Sequence, residues 1–262
     1  MTDLASKVVW ITGASSGIGE ALALDASRRG AKLVLSSRRE SELARVRSLC
    51  AKPAEVALLP LDLTAFDVDA AAAKAAGFLG PVDVLVNNAG WSQRSLTLDT
   101  QMQTYRQLME LDFFAPVALT RAVLPGMVAR GGGHVLMVGS VVSKFGAPLR
   151  SGYAAAKHAL AGFTEAARAE LWRQNIRFTL VCPGFVKTQV SVNALRGDGA
   201  AHGVMDKGQA KGMSAEVCAQ RIWRAVERDT EECFIGGEAR FIHLKRFFPG
   251  LFSYVIKRAD AT

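Results

Sequence analysis

Short apolar runs alternate along this chain with longer stretches of helical spacing. Lys7 to Thr12 (KVVWIT) is apolar and β-branched and predicts a strand. It breaks into Gly13-Ala14-Ser15-Ser16-Gly17-Ile18-Gly19, and Leu22, Leu24 and Ala26 then open a helical pattern. Ala31 to Leu35 predicts a second strand and about Glu40 to Cys50 a charged helix. Four more strands are predicted at Glu55 to Leu59, Val82 to Val86, His134 to Val138 and Arg177 to Val181. Between them lie an Ala-rich helix (about Ala65 to Gly77) and two helical stretches, roughly Gln101 to Glu110 and Asp112 to Arg130. A longer helix runs from Ser151 to Gln174, where Leu160, Phe163, Ala167 and Leu171 recur at three and four residues. Six strands alternating with helices, apolar enough for burial on both faces, predict an α/β fold: a single doubly wound parallel sheet with helices on both sides. No repeat of fixed period and no internal linker is visible. Residues 1–240 are expected to form one domain and 241–262 a tail packed on it or at an interface.

Length and composition agree. A chain of 262 residues can bury one large core, and 50% hydrophobic with 21% charged residues excludes disorder. No apolar run approaches the ~18 residues of a spanning helix. Met1-Thr2-Asp3-Leu4 leads into the first strand without a basic or cleavable apolar segment, so a cytoplasmic protein is expected. Cys50, Cys182, Cys218 and Cys233 form no CxxC or Cys/His cluster, which argues against zinc and a disulfide framework and predicts no metal. The net charge of +8 is compatible with anionic partners. The Lys and Arg residues are spread over the helices rather than gathered in one arm, so no nucleic acid is expected.

The chemistry sits where predicted strands end. Glycines after the first strand permit a tight turn and let backbone N–H groups at a helix N-terminus face a pyrophosphate. The spacing is Gly-xxx-Gly-x-Gly, and a turn without a ligand would use the same residues. An acidic residue after the second strand would bind a ribose 2′-hydroxyl; Ser37, Arg38 and Arg39 stand there instead, suited to a 2′-phosphate. NADP(H) is therefore favoured over NAD(H). Asp62, beside Leu63 after the third strand, can accept from an adenine amino group, and Asn87-Asn88-Ala89-Gly90 follows the fourth. Tyr153 and Lys157 stand at i and i+4 on one helical face. A free tyrosine keeps its proton to pH ~10, and a neighbouring cation favours the phenolate. Such a pair can work as acid and base, though any helix can carry Tyr and Lys on its surface.

Together, Thr12-Gly13-Ala14-Ser15-Ser16-Gly17-Ile18-Gly19, Asn87-Asn88-Ala89-Gly90, Ser140, Tyr153-xxx-Lys157 and Pro183-Gly184-xxx-Thr188 resemble the short-chain dehydrogenase/reductase family, over about residues 5 to 235. The resemblance implies a Rossmann-like fold with Tyr153 as acid/base, Lys157 assisting it and holding the cofactor ribose, and Ser140 bonded to the substrate oxygen. It places Pro183, Gly184, Val186 and Thr188 at the nicotinamide. Gly13, Ser15, Ser16, Gly17, Ile18, Asp62, Leu63, Asn88, Ala89 and Gly90 would lie around the rest of the cofactor. Where many members have Asn in the helix before the serine strand, this chain has Asp112. A carboxylate cannot donate a hydrogen bond unless protonated and would engage Lys157, so an altered water relay with surviving activity is expected.

The segment from Ser191 to Asp206 resembles the dehydrogenase/reductase member seven branch and its bacterial relatives, and the family implies a mobile cover over the substrate. Trp91, Val142, Phe145 and Leu149 suggest a bulky apolar carbonyl or alcohol. Beyond Gly237, Phe241, Phe247, Phe248, Leu251, Phe252 and Tyr254 alternate with Arg240, Lys245, Arg246, Lys257 and Arg258, a pattern open to peripheral membrane contact as well as to packing. The family implies a homodimer or homotetramer. The expected function is an NADP(H)-dependent ketone/aldehyde–alcohol oxidoreductase; the alternative is a catalytically weak NADP-binding sensor or scaffold.

Overall fold

The computed structural model describes residues 2–259. The fold follows from the first strand, β1 (Val8–Thr12), whose alternation sends Val9 and Ile11 to one face and Val8 and Trp10 to the other. All four are buried, so the strand must be covered on both sides. Beside it lie β2 (Lys32–Ser36) and β3 (Val56–Leu58) in one direction. In the other direction lie β4 (Val84–Asn87), β5 (Gly133–Val138), β6 (Ile176–Pro183) and β7 (Glu232–Ile235). The order is β3-β2-β1-β4-β5-β6-β7 and every pair is parallel. This is the doubly wound Rossmann-like sheet, and its order reverses between β1 and β4, where a crevice opens at the strands' C-terminal ends.

One face is packed by α1 (Gly17–Arg28), α2 (Glu40–Leu49) and α8 (Ala215–Glu227). The other is packed by α3 (Val68–Leu79), α5 (Ala115–Ala129) and α6 (Ser151–Leu171). Helix α3 starts where Asp67 accepts from Ala70 N–H at 2.9 Å, satisfying one free donor of its first turn. The four-residue α7 (Lys207–Ala210) precedes α8, and α9 (Arg240–Phe247) and α10 (Pro249–Ile256) follow β7.

Three expectations need correction. The chain has a seventh strand, β7: Glu232–Ile235 pairs at the sheet edge, and its short apolar part, Cys233-Phe234-Ile235, is hidden behind the polar stretch Arg228 to Glu232. The two stretches expected to divide near residue 111 form one continuous helix: α4 (Met102–Met109) passes through a π-helical segment, Glu110–Phe114, into α5. Joined, they contain a window long and apolar enough to cross a membrane by length and composition; here Leu108, Leu111, Leu119 and Met127 bury one side of it in the protein. The third concerns Leu149, whose backbone lies in the left-handed region with φ 62° and which does not line the cavity described below.

Leu119 is fully buried under the sheet. Leu119→Ala should lower unfolding free energy by about 2–5 kcal/mol, since the cavity adds to the lost transfer term. Urea denaturation followed by circular dichroism measures this, and a loss below ~1 kcal/mol would show that the helix relaxes to fill the gap.

Candidate active site

The crevice at the β1/β4 reversal widens into a cavity of about 770 Å³. Its floor is the glycine turn. Gly13 and Gly17 have φ of 64° and 59°, where side chains are disfavoured, and a β-carbon on Gly19 would overlap the Gly13 carbonyl. Asn88 fastens the turn to β4: its side-chain amide donates to the Thr12 and Gly13 carbonyls at 3.0 and 3.2 Å. Thr12 Oγ1 accepts from Asn88 N and Ala89 N at 3.0 and 3.2 Å. The N-terminus of α1 thus opens into the crevice with its first N–H groups unpaired within the helix, a setting for a pyrophosphate.

At the end of β2, Ser37, Arg38 and Arg39 line the same cavity. An Arg39 Nη2 lies 3.3 Å from Ser15 Oγ of the glycine turn, and the Arg38 guanidinium lies 5.5 Å from the centre of the Trp91 ring. Opposite, Asp62 accepts from the Thr64 amide and hydroxyl at 3.0 and 2.7 Å, and these bonds hold its carboxyl below the usual range.

Helix α6 brings Tyr153 and Lys157 to the cavity, and the turn after β5 brings Ser140. Ser140 Oγ accepts from Val142 N–H at 3.4 Å and lies 3.5 Å from the Pro183 carbonyl. Lys157 is 4% exposed; its Nζ lies 3.3 Å from Asp112 Oδ1, donates to Val138 O at 3.1 Å and lies 5.8 Å from the centre of the Tyr153 ring. Burial opposes its charge, but Asp112 and Tyr153 outweigh that and raise its pKa. Burial pushes the Asp112 carboxyl up to about 6, against the pull of Lys157 and the Trp91 N–H at 3.2 Å. Gly90 makes room for this pair, since a β-carbon there would overlap Asp112 Oδ1.

Apart from Leu149, every candidate site residue, from Gly13 through Ser15, Ser16, Gly17, Ile18 and Leu63 to Val186 and Thr188, lines this cavity, and so do Trp91, Val142 and Phe145. Sequence reasoning missed others. Gln93 is fully buried, and its Oε1 accepts from Gly152 N and Tyr153 N at 2.7 and 3.2 Å, pairing two free donors in the first turn of α6. Its amide donates to Ser95 and Thr100 hydroxyls, both at 3.0 Å. Arg94 and Arg150 line the cavity and both bond Asp206. Burial, then the Arg94 charge, pushes the Arg150 guanidinium down to about 10. The segment expected as a mobile cover is thereby fastened at Asp206, and again where Leu195 N–H donates to Ser92 O at 2.8 Å. The one advance signal for Gln93 and Arg94 was their position just after a strand end.

Among the described residues no cluster of His, Cys, Asp or Glu could hold a metal. A glycine turn over a helix N-terminus, at the reversal of a parallel sheet and facing Ser, Tyr and Lys, defines a nucleotide-dependent oxidoreductase. Comparison with known proteins gives the family. Residues 7–198 match the short chain dehydrogenase family, and the chain belongs to the short-chain dehydrogenases/reductases, oxidoreductases of CH–OH and C=O groups. It is 38% identical over 265 residues to a dehydrogenase/reductase SDR family protein 7-like of Drosophila melanogaster, covering 98% of this chain and 81% of that one. Two solved structures share the fold at 23% identity. One is a Burkholderia phymatum short-chain dehydrogenase/reductase in complex with NAD, with TM-score 0.84 and 96% of each chain covered. The other is a Burkholderia cenocepacia short-chain dehydrogenase in complex with NADP, with TM-score 0.78 and 97% and 98% covered.

Gln93→Ala should leave the Gly152 and Tyr153 amides without their buried acceptor and cost about 1–3 kcal/mol of stability. Gln93→Glu, which keeps an acceptor facing those donors, should recover part of it. Equal melting temperatures for Gln93→Ala and wild type would show that another group takes over.

Proposed function

We propose that the protein is an NADP(H)-dependent oxidoreductase that interconverts a bulky apolar ketone or aldehyde and its alcohol, with Tyr153 as acid and base. The observation that carries this reading is that Arg38 and Arg39 share one cavity with the glycine turn and with Ser140, Tyr153 and Lys157. The crowding around Gly13 and Gly19, where a β-carbon would collide, fits a surface that must let a pyrophosphate approach the backbone. Gly13, Ser15, Gly17 and the α1 N-terminus would hold the pyrophosphate, Arg38 and Arg39 a 2′-phosphate, and Pro183, Gly184, Val186 and Thr188 the nicotinamide end. When bound, the cofactor supplies or accepts the hydride.

The chain's own part is proton management and orientation. Tyr153 hands its proton to the carbonyl oxygen in reduction and takes it back in oxidation. Ser140 donates to that oxygen as negative charge builds there. The Lys157 ammonium, kept charged by Asp112, stabilises the phenolate left behind. Above pH ~6 the Asp112 carboxyl is ionised and pairs with Lys157; below it the carboxyl takes up a proton and the ammonium loses that countercharge while keeping its bond to the Val138 carbonyl. Val142 and Phe145, with Phe241 and Ile256 from the tail, give the substrate end apolar walls. Assembly as a homodimer or homotetramer through the long helices is part of the reading; α4 and its continuation leave Met102 and Phe114 exposed. The sensor or scaffold alternative is not favoured, because the Ser, Tyr and Lys positions are all filled and share the cavity.

Fluorescence titration should show tighter binding of NADPH than NADH, and Arg38→Ala or Arg39→Ala should weaken NADPH by roughly 10- to 100-fold while sparing NADH. Equal affinities in the wild type would sink the NADP assignment. In a carbonyl-reduction screen, Tyr153→Phe should cost about 10²–10⁴ in kcat and leave NADPH affinity intact. A plot of log kcat against pH should bend near pH 6 in the wild type and lose that bend in Asp112→Asn. An unchanged profile would remove Asp112 from the proton chemistry.

A further inference from the structure

The C-terminal helices present two opposed faces. In α10, Phe252 is buried with its ring 5.5 Å from that of Phe145, and Val255 and Ile256 line the cavity. On the other side Leu251 and Tyr254 are 54% and 58% exposed, with Arg258 one turn further on and its guanidinium 3.8 Å from the Tyr254 ring centre. Phe247 and Phe248, at the junction with α9, are exposed as well. Among the described residues fourteen large apolar side chains are exposed, and four of them fall between Phe247 and Tyr254, so they form a patch rather than scatter. The same segment carries the exposed cations Arg240, Lys245, Arg246, Lys257 and Arg258, of which Lys245 also donates to the Lys144 carbonyl and Arg240 lies against the Phe241 ring. No Asp or Glu occurs between Ala239 and Ala259.

We propose that this face docks on an anionic lipid surface. Its charge decides the occupant. Two copies meeting through the same patch would set cations against cations with no carboxylate of the segment to pair them. Anionic headgroups neutralise the cations, while Phe247, Phe248, Leu251 and Tyr254 enter the boundary between headgroups and acyl chains. Because the inner face of α10 walls the cavity, docking sets that cavity about one helix diameter, ~10 Å, from the lipid. A carbonyl compound dissolved in the bilayer would then reach the site without crossing open water. That last step rests on the oxidoreductase reading; the docking does not.

The full chain is floated with vesicles of phosphatidylcholine alone and of phosphatidylcholine with phosphatidylglycerol. It should rise with the anionic vesicles, release at high salt, and stay behind with phosphatidylcholine alone. Arg246→Glu/Lys257→Glu and Phe248→Ser/Leu251→Ser, at exposed positions away from the cavity, should each weaken binding roughly tenfold or more. Their melting temperature and NADPH titration should be unchanged. Failure to float with anionic vesicles, or equal binding by both variants and the wild type, overturns the proposal. A wild-type oligomer that the Phe248→Ser/Leu251→Ser variant splits on gel filtration assigns the face to a second copy and also overturns it. The NADPH titration is read separately, so failure of docking leaves the cofactor reading standing, and the reverse.

Discussion

A buried ammonium has to be paid for by its surroundings, and much of this protein's interior is arranged around Lys157. An isolated charge in that position would cost several kcal/mol. Three separate parts of the chain meet the demand. The π-helical segment supplies the Asp112 carboxylate, the end of β5 supplies the Val138 carbonyl, and the turn after β4 withholds a side chain at Gly90 so that the carboxylate fits. Asp112 is charged at a cost of its own, visible in a carboxyl pKa pushed well above its usual range. Removing either partner would leave the other buried without its countercharge, so the pair constrains α4, α6, β4 and β5 together.

The Lys157 site also shows why helix and strand ends matter more here than their middles. Helix α6 must begin at a fixed height for Tyr153 to face the cavity, and Gln93 sets that height by occupying its first free amides. The glycine turn is held by Asn88 in the same fashion, side chain to backbone. In both cases a polar residue from the β4 end fixes the start of another element. The crevice is therefore a set of clamped termini, with the parallel sheet behind them as a rigid base.

Much of this was legible in the sequence, for local reasons. Six strands were visible as apolar runs; β7 was not, because its apolar part is only Cys233-Phe234-Ile235, set directly behind the polar stretch Arg228 to Glu232. The motif residues were legible because each lies within a few positions of a strand end or on one helical face. The Arg94–Asp206 bond joins residues 112 positions apart, and no short window holds both. The tail's aromatic and basic alternation could be read as packing or as surface. Burial in the structure divides it into an inner side that walls the cavity and an outer, cationic one.

The π-helical segment hid itself from pattern reading, since one wider turn shifts the helical phase and makes one helix look like two. Its consequence is a difference between kinds of genetic change. A substitution at Asp112 strips Lys157 of its carboxylate although it leaves the two halves in phase. The wider turn takes up an extra residue with little added rotation, so deleting one residue there would restore regular α-helical winding and leave Met102–Met109 and Ala115–Ala129 nearly in phase. Thr104 and Leu108 would then keep their buried positions. Length is forgiven at the wide turn; the identity of Asp112 is not.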